Sequence, residues 1–418
     1  MGNTYYVDPA AGGDNDGSEW AHAWVDLQSA IDAWAAGDTV YCRGTQTISG
    51  SAKANGLVDT SMAPGSVAAG AVNVIGCDAG GTARAGQFTL QGNGADKPAF
   101  LLRVSAGNMD HIHWENIDFN GTNVTGDLVQ ADTAGNNDYV HWRQCRFMNG
   151  TANGVDSDRS LTGGRFIQCV FANNGGDGIQ AGGAPVVFLF CRFVGNTGYG
   201  LFAESNYGST VYGCLFHDNT LDDMRSDQGG DHVLGCVFDG TDGGDDGFTT
   251  RTGKLSLLAI ANRFTNHSVA GKYGMVGSDA NDQSHIEDWN LFCGNTADLS
   301  LVISGRHSYG DGANHISDPA GDGYRSAANN DFKLTSSAVG ALVDVNLDWD
   351  TAPAATDSEF AMTAGLPLPA PTIPAAEDVE NALTYGYYDE LTGTLAGGGG
   401  GGNPVIGSGV IVPVAGAL

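Results

Sequence analysis

Lysine is nearly missing. Five occur in 418 residues, and the basic side chains number 18 against 48 acidic ones, a formal net charge of −30. A chain of that sign repels phosphate backbones, so no nucleic-acid partner is expected. Long apolar runs are absent too: no stretch approaches the ~18 apolar residues a bilayer needs, so no membrane span is predicted. The opening, Met1 to Asp8, has neither a basic start nor an apolar core, so no secretory leader is expected. Glutamate is also scarce, eight against 40 aspartates. Asp favours turns, which puts much of the charge on loop edges and suits salty surroundings or divalent cations. The histidines lack metal-ligand spacing, and the sequence holds no nucleotide loop or nucleophile elbow.

What is present is a repeat. Residues 143–293 return to one phrase: Gln-Cys-Arg-Phe (144–147), Gln-Cys-Val-Phe (168–171), Phe-Cys-Arg-Phe (190–193), Gly-Cys-Leu-Phe (213–216) and Gly-Cys-Val-Phe (235–238). Asn262-Arg263-Phe264 and Asn290-Leu291-Phe292 continue it, and Ile117-Asp118-Phe119 precedes it. Successive phenylalanines are 28, 24, 22, 23, 22, 26 and 28 residues apart. Such a period marks stacked units. Within a unit there is no helical spacing. Cys and Phe lie two apart and share one face of a strand, with Arg, Val or Leu between them on the other. Turn pairs follow each Phe: Asn149-Gly150, Asn173-Asn174, Gly195-Asn196, Asp218-Asn219. A second strand comes next, as in Ile179-Gln180-Ala181 and Leu201-Phe202-Ala203.

The five repeat cysteines (145, 169, 191, 214, 236) fall in one column. Stacked strands lie about 4.8 Å apart with parallel side chains, unlike the converging geometry of a disulfide. They read as a ladder of buried free thiols, which fits folding in a reducing compartment.

One coil per repeat gives an all-β parallel solenoid. The pattern resembles the right-handed parallel β-helix (pectate-lyase-like) superfamily over roughly residues 4–350. The opening, from Tyr5-Tyr6-Val7-Asp8-Pro9 through a Gly/Asp loop to Asp26-Leu27-Gln28-Ser29-Ala30-Ile31-Asp32 and Gly37-Asp38-Thr39-Val40-Tyr41, resembles the N-terminal cap of bacterial and phage members. Trp24, Leu27, Ile31 and Trp34 then predict an amphipathic capping helix within 19–36. The expected organisation is 1–44 cap and first strands, 45–350 β-helix, 351–396 Pro/Ala-rich strap and closing segment, and 397–418 a Gly-rich linker with an apolar tail. Pro404 to Leu418 carries no charged side chain. It is expected to dock on a neighbouring subunit or a virion protein by adding a strand, the alternative being that it folds back as a cap on the last coil.

Aligning Val155, Ile179, Leu201, Met224 and Phe248 as inward residues predicts an outward row of Asp156, Gln180, Phe202, Arg225 and Thr249. Two residues on come Asp158, Gly182, Glu204, Asp227 and Arg251. Glu204 and Asp227 fall on neighbouring coils, a spacing that suits paired-carboxylate glycoside chemistry. Arg225 and Arg251 are the candidate basic partners. The resemblance implies instead proton abstraction from a sugar ring by a basic residue, assisted by Ca²⁺. The bland alternative is an outer-face ion-pair ladder. Phe202, Tyr199 and Tyr207 are candidate sugar-stacking aromatics, with Asp158 beside them. Asp222, Asp223, Asp245 and Asp246 are candidate Ca²⁺ ligands; no cofactor is otherwise required. Of the pectin-hydrolase motifs Asn-Thr-Asp, Asp-Asp, Gly-His-Gly and Arg-Ile-Lys, only Asp-Asp pairs occur.

Three functions fit these features. The first is a virion appendage (a phage tail-spike, fibre or head-decoration protein) facing host glycans, assembled in the host cytoplasm, with a homotrimer as its candidate assembly. The second is a secreted, extracellular polysaccharide lyase or glycoside hydrolase. The third is a bacterial surface or adhesion module. The first accounts for the thiols, the absent leader and the apolar tail together.

Overall fold

The computed structural model describes residues 2–49, 57–59, 70–104, 111–131, 140–157, 161, 163–183, 185–204, 208–227, 230–240, 245–250, 257–260, 262–277, 285–288 and 290–301, and beyond them five short strands between 316 and 395. Asp158, Tyr207, Arg251, most of the 351–396 strap and the 404–418 tail lie outside the described residues.

Three parallel sheets wrap one core. The first has 11 described strands, from Thr4–Val7 to His285–Asp288; the second has 11, from Thr45–Ile48 to Ile316–Ser317; the third has 10, from Leu57–Asp59 to Ala297–Leu301. Each coil gives one short strand to each sheet, as His141–Arg143, Arg146–Met148 and Val155–Ser157 do before the chain returns to the first sheet at Arg165–Ile167. The sequence pattern exposes only two strands per coil. The third was missed because a single residue separates the first sheet from the Cys corner. That residue is Gln144, Gln168, Phe190, Gly213 or Gly235, with φ of 52°, 56°, 56°, 63° and 61°. A left-handed residue there turns the chain within one step.

Phe119, Phe147, Phe171, Phe193, Phe216, Phe238, Phe264 and Phe292 are all fully buried and in register. Their rings stack 4.5–5.1 Å apart with planes within 11°. That distance is the strand spacing itself, so the backbone sets the ring contact. Trp142, Phe166 and Phe188 form a second stack from the first sheet and meet the first column edge-on.

All eight cysteines are free and buried, as the ladder reading requires. Cys214 Sγ accepts the Cys191 N–H at 3.3 Å, and Cys236 Sγ the Cys214 N–H at 3.4 Å. Asn262 and Asn290 extend the column with amides, the Asn262 side chain donating to Asn290 Oδ1 at 3.0 Å. A second amide ladder closes the bend between the second and third sheets. Asn174 donates to Asn196 Oδ1 at 3.0 Å and Asn196 to Asn219 Oδ1 at 2.9 Å, while their side-chain nitrogens also reach the Phe147 and Phe171 carbonyls. Each buried amide therefore satisfies main-chain groups that a bend would otherwise orphan.

The N-terminal helix is shorter than expected. It runs Leu27–Ala33, capped by Asp26 accepting from the Ser29 N–H, and buries Leu27, Ala30 and Ile31. Trp24 precedes it, in a bridge to Val7, and Trp34 ends it in extended backbone.

Candidate functional site

The third sheet carries the predicted rows. Val155, Ile179, Leu201, Met224 and Phe248 are partners in register and fully buried. Asp156, Gln180, Phe202, Arg225 and Thr249 are likewise partners, facing outward, all but Thr249 half-buried. Glu204 and Asp227 extend adjacent rungs: the Glu204 N–H donates to the Ala181 carbonyl and the Asp227 N–H to the Ala203 carbonyl.

Arg225 is the hub. Its Nε donates to Asp227 Oδ1 at 2.7 Å and its Nη2 to Asp227 Oδ2 at 2.9 Å. Its Nη1 donates to the Tyr199 hydroxyl. The guanidinium carbon lies 4.9 Å from the Phe202 ring centre and 5.1 Å from that of Tyr199. Those two rings are 5.5 Å apart and tilted by 42°. Burial works against the Arg225 charge, but its bonds to Asp227 and Tyr199 outweigh that and raise its pKa. Glu204 is placed otherwise, with Gln180 Nε2 donating to its Oε2 at 3.3 Å. So the structure brings Tyr199, Phe202, Arg225 and Asp227 into one cluster with Gln180 and Glu204 at its edge. The sequence reading missed Gln180 as a partner, although its row position was legible.

The four aspartates read as Ca²⁺ ligands do not converge. Asp222 Oδ1 accepts the Asp246 N–H at 3.1 Å, and Asp246 Oδ1 the Tyr273 N–H at 2.7 Å. The same slot two residues before the inward row holds Asp127, Asn153 and Asp177, whose oxygens accept the N–H groups of Asn153, Asp177 and Tyr199 at 2.8, 2.7 and 2.8 Å. This column pins one coil to the next. Asp223 is buried and takes a bond from Asn219 at 2.9 Å, and Asp245 pairs with Lys272 Nζ at 2.9 Å. Burial pushes Asp222 and Asp223 upward and Asp246 up to about 6. Among the described residues, no group of three or more His, Cys, Asp or Glu is placed to hold a metal ion. Asp222 and Asp246 thus serve main-chain N–H groups, while Asp223 serves the Asn219 side-chain amide and Asp245 the Lys272 ammonium.

Elsewhere on the outer faces, His113 and His141 stack 4.7 Å apart with planes 5° from parallel. Burial, then the neighbouring His113 and Arg165, push His141 down to about 3, and burial lowers His113 as well.

Residues 111–288 match the family model described as right handed beta helix region. This stretch is a right-handed β-helix. A crystal structure of pectate lyase Pel9A superposes on the β-helix with TM-score 0.55 at 14% identity, covering 78% of this chain and 84% of that one. The A-module of a mannuronan C-5 epimerase from Azotobacter vinelandii gives TM-score 0.42 at 16% identity, over 76% and 100%. ORF18 of Geobacillus virus E2 gives 0.36 at 12%, over 71% and 61%. At these identities the likeness is one of fold. Compared by sequence with curated proteins, the chain matches none.

Proposed function

We propose that this β-helix is a virion appendage whose third sheet presents a glycan-binding surface. The observation that carries the glycan reading is the Tyr199–Phe202–Arg225–Asp227 cluster. Two aromatic rings and a stacked guanidinium give a sugar a flat apolar support, and Glu204, Asp227 and Gln180 give its hydroxyls a polar rim. A pectate lyase shares the fold, and we extend its class of partner, a polysaccharide, to this chain. The thiol ladder supports assembly in a reducing cytoplasm. Docking of 404–418 on another virion protein, and a homotrimer, belong to the same proposal.

The cluster favours binding over cleavage. Both Asp227 oxygens are held by Arg225, which takes away a free nucleophile or acid. Arg225, held protonated by the same bonds, is a poor base for β-elimination. The second reading, a secreted lyase or hydrolase using Glu204, Asp227, Arg225 and Arg251, rests on Glu204 and Asp227 occupying adjacent rungs.

A glycan array probed with the purified chain tests this. Binding is expected to fall about tenfold in Phe202→Ala and in Arg225→Ala, as loss of one stacking partner implies. Mass spectrometry of the bound glycans should show them intact. Shortened chains that disappear with Glu204→Ala would establish the enzyme instead. Antibody labelling of phage particles tests the location. Truncation after Ala396 should leave the melting point unchanged and abolish incorporation into particles; a large fall in melting point with incorporation intact would make the tail a cap.

A further inference from the structure

We infer that the second-sheet strand Thr45–Ile48 is a docking edge, and that residues 404–418 of another copy of this chain add to it as a further strand. This rests on the docking of 404–418 proposed above and names its seat and its partner. At one end of the stack the sheets finish in Thr4–Val7, Thr45–Ile48 and Leu57–Asp59. The first of these edges is closed. The Tyr6 N–H donates to the Gly17 carbonyl at 3.0 Å, and the Tyr6 carbonyl accepts the Trp24 N–H at 2.9 Å. The helix Leu27–Ala33 closes the core, and the Leu27 N–H donates to Gln46 Oε1 at 2.8 Å. The second edge stays open. Thr45–Ile48 pairs with Phe88–Gly92 on one side, where the Gly44 and Ile48 carbonyls accept the Thr89 and Asn93 N–H groups. By alternation, Thr45 and Thr47 turn their N–H and C=O groups to the other side. Among the described residues no strand pairs there, and both threonines are exposed. The strand has no charge, proline or bulge, the devices that blunt an edge.

Such an edge takes an extended segment by main-chain bonds. Residues 404–418 have the matching chemistry: no charged side chain, and the β-branched runs Val405-Ile406 and Val410-Ile411-Val412. Val25, two residues before Leu27, is 39% exposed and gives this end an apolar side chain for an added strand to cover. The edge's own copy is poorly placed to supply that strand. Thr45–Ile48 and Ile316–Ser317 are the first and last strands of the 11-stranded second sheet, about 48 Å apart at strand spacing. The chain passes the far end of the stack before it reaches the tail. A neighbouring copy set head to tail brings that far end, and the tail that follows it, to the open edge. The contact is heterologous: each copy gives its tail to one neighbour and its edge to another.

The test is hydrogen exchange on the full chain over a range of concentrations, beside sedimentation velocity. The chain should associate as concentration rises, and the Thr45 and Thr47 amides should become protected in step. Thr47→Pro removes an open-side N–H and no ladder bond. It should weaken association about fivefold, as loss of one main-chain bond implies, and leave the melting point of the dilute chain unchanged. If that variant does not fold, exchange on the unaltered chain decides. Association that is lost on truncation after Ala396 yet leaves both amides exchanging freely would overturn the seat, with the docking of the tail still standing. Association unchanged by that truncation would overturn the tail as occupant. Protection that does not vary with concentration would make the occupant part of the same copy and overturn the partner. A chain that stays single at every concentration would overturn the partner too, leaving docking on a different virion protein.

Discussion

Arg225 holds both carboxylate oxygens of Asp227, Nε to Oδ1 at 2.7 Å and Nη2 to Oδ2 at 2.9 Å, from two positions earlier on the same strand face. The pair is partly shielded, with side-chain exposures of 14% and 22%. A two-point geometry suits a guanidinium and not an ammonium.

Arg225→Ala and Asp227→Ala should each cost about 1–2 kcal/mol, less than a fully buried pair because both groups reach solvent. A double-mutant cycle read by urea unfolding should show coupling of about 1 kcal/mol. Arg225→Lys should fail to restore it. Additive single effects would mean the pair does not form.

Asn196 is fully buried and links three successive coils. Asn196→Ala should orphan the Phe171 carbonyl and the Asn174 main-chain N–H and cost about 3 kcal/mol or more. Thermal unfolding should register a fall of several degrees. A change within error would show that water replaces the ladder.

The eight thiols should be silent in the native protein and all titrate after denaturation without reductant. Burial raises the pKa values of Cys145, Cys169, Cys191 and Cys214 well above the ordinary value, which slows native reaction further. A shortfall of two thiols in the denatured sample would mean a disulfide.

Acid should act in two opposed ways. Burial lowers His141 to about 3 and His267 to about 4, below their unfolded value. The unfolded chain then binds more protons, and stability falls as pH drops from about 6.5 toward 4. Asp231, buried with bonds from Ser226 and the Ser209 N–H, and Asp246 are raised to about 6. There the folded chain binds more protons, so these two contribute stability as pH drops from about 6 to 4. Asp231→Asn removes one offsetting group and should make the acid loss steeper in a melting-point profile. An unchanged slope would remove Asp231 from the balance.

How much of this the sequence showed follows from the range of each interaction. The Cys-x-Phe phrase and the Val155–Phe248 row were legible because inward packing repeats once per coil and tolerates only a few residue types. The turn pairs were legible in position, though not in role. Their first residues, Asn149, Asn173, Gly195 and Asp218, take positive φ; the later Asn174, Asn196 and Asn219 turn inward as the ladder. The extent of the capping helix was overread, because Trp24 has helical spacing but is held by Val7 across a bridge.

The sequence by itself determined the coil, its register and the choice of which residues face out, since period-2 alternation and a 22–28-residue repeat are written in the chain. Only the tertiary structure decided what the outward groups do. Asp227 turns to Arg225 on its own strand while Glu204 turns to Gln180 one coil earlier, and Asp222 and Asp246 spend their oxygens on the next coil's N–H groups. Those choices depend on rotamers and on partners a full coil away, where a carboxylate in the right row has several donors within reach and geometry selects among them.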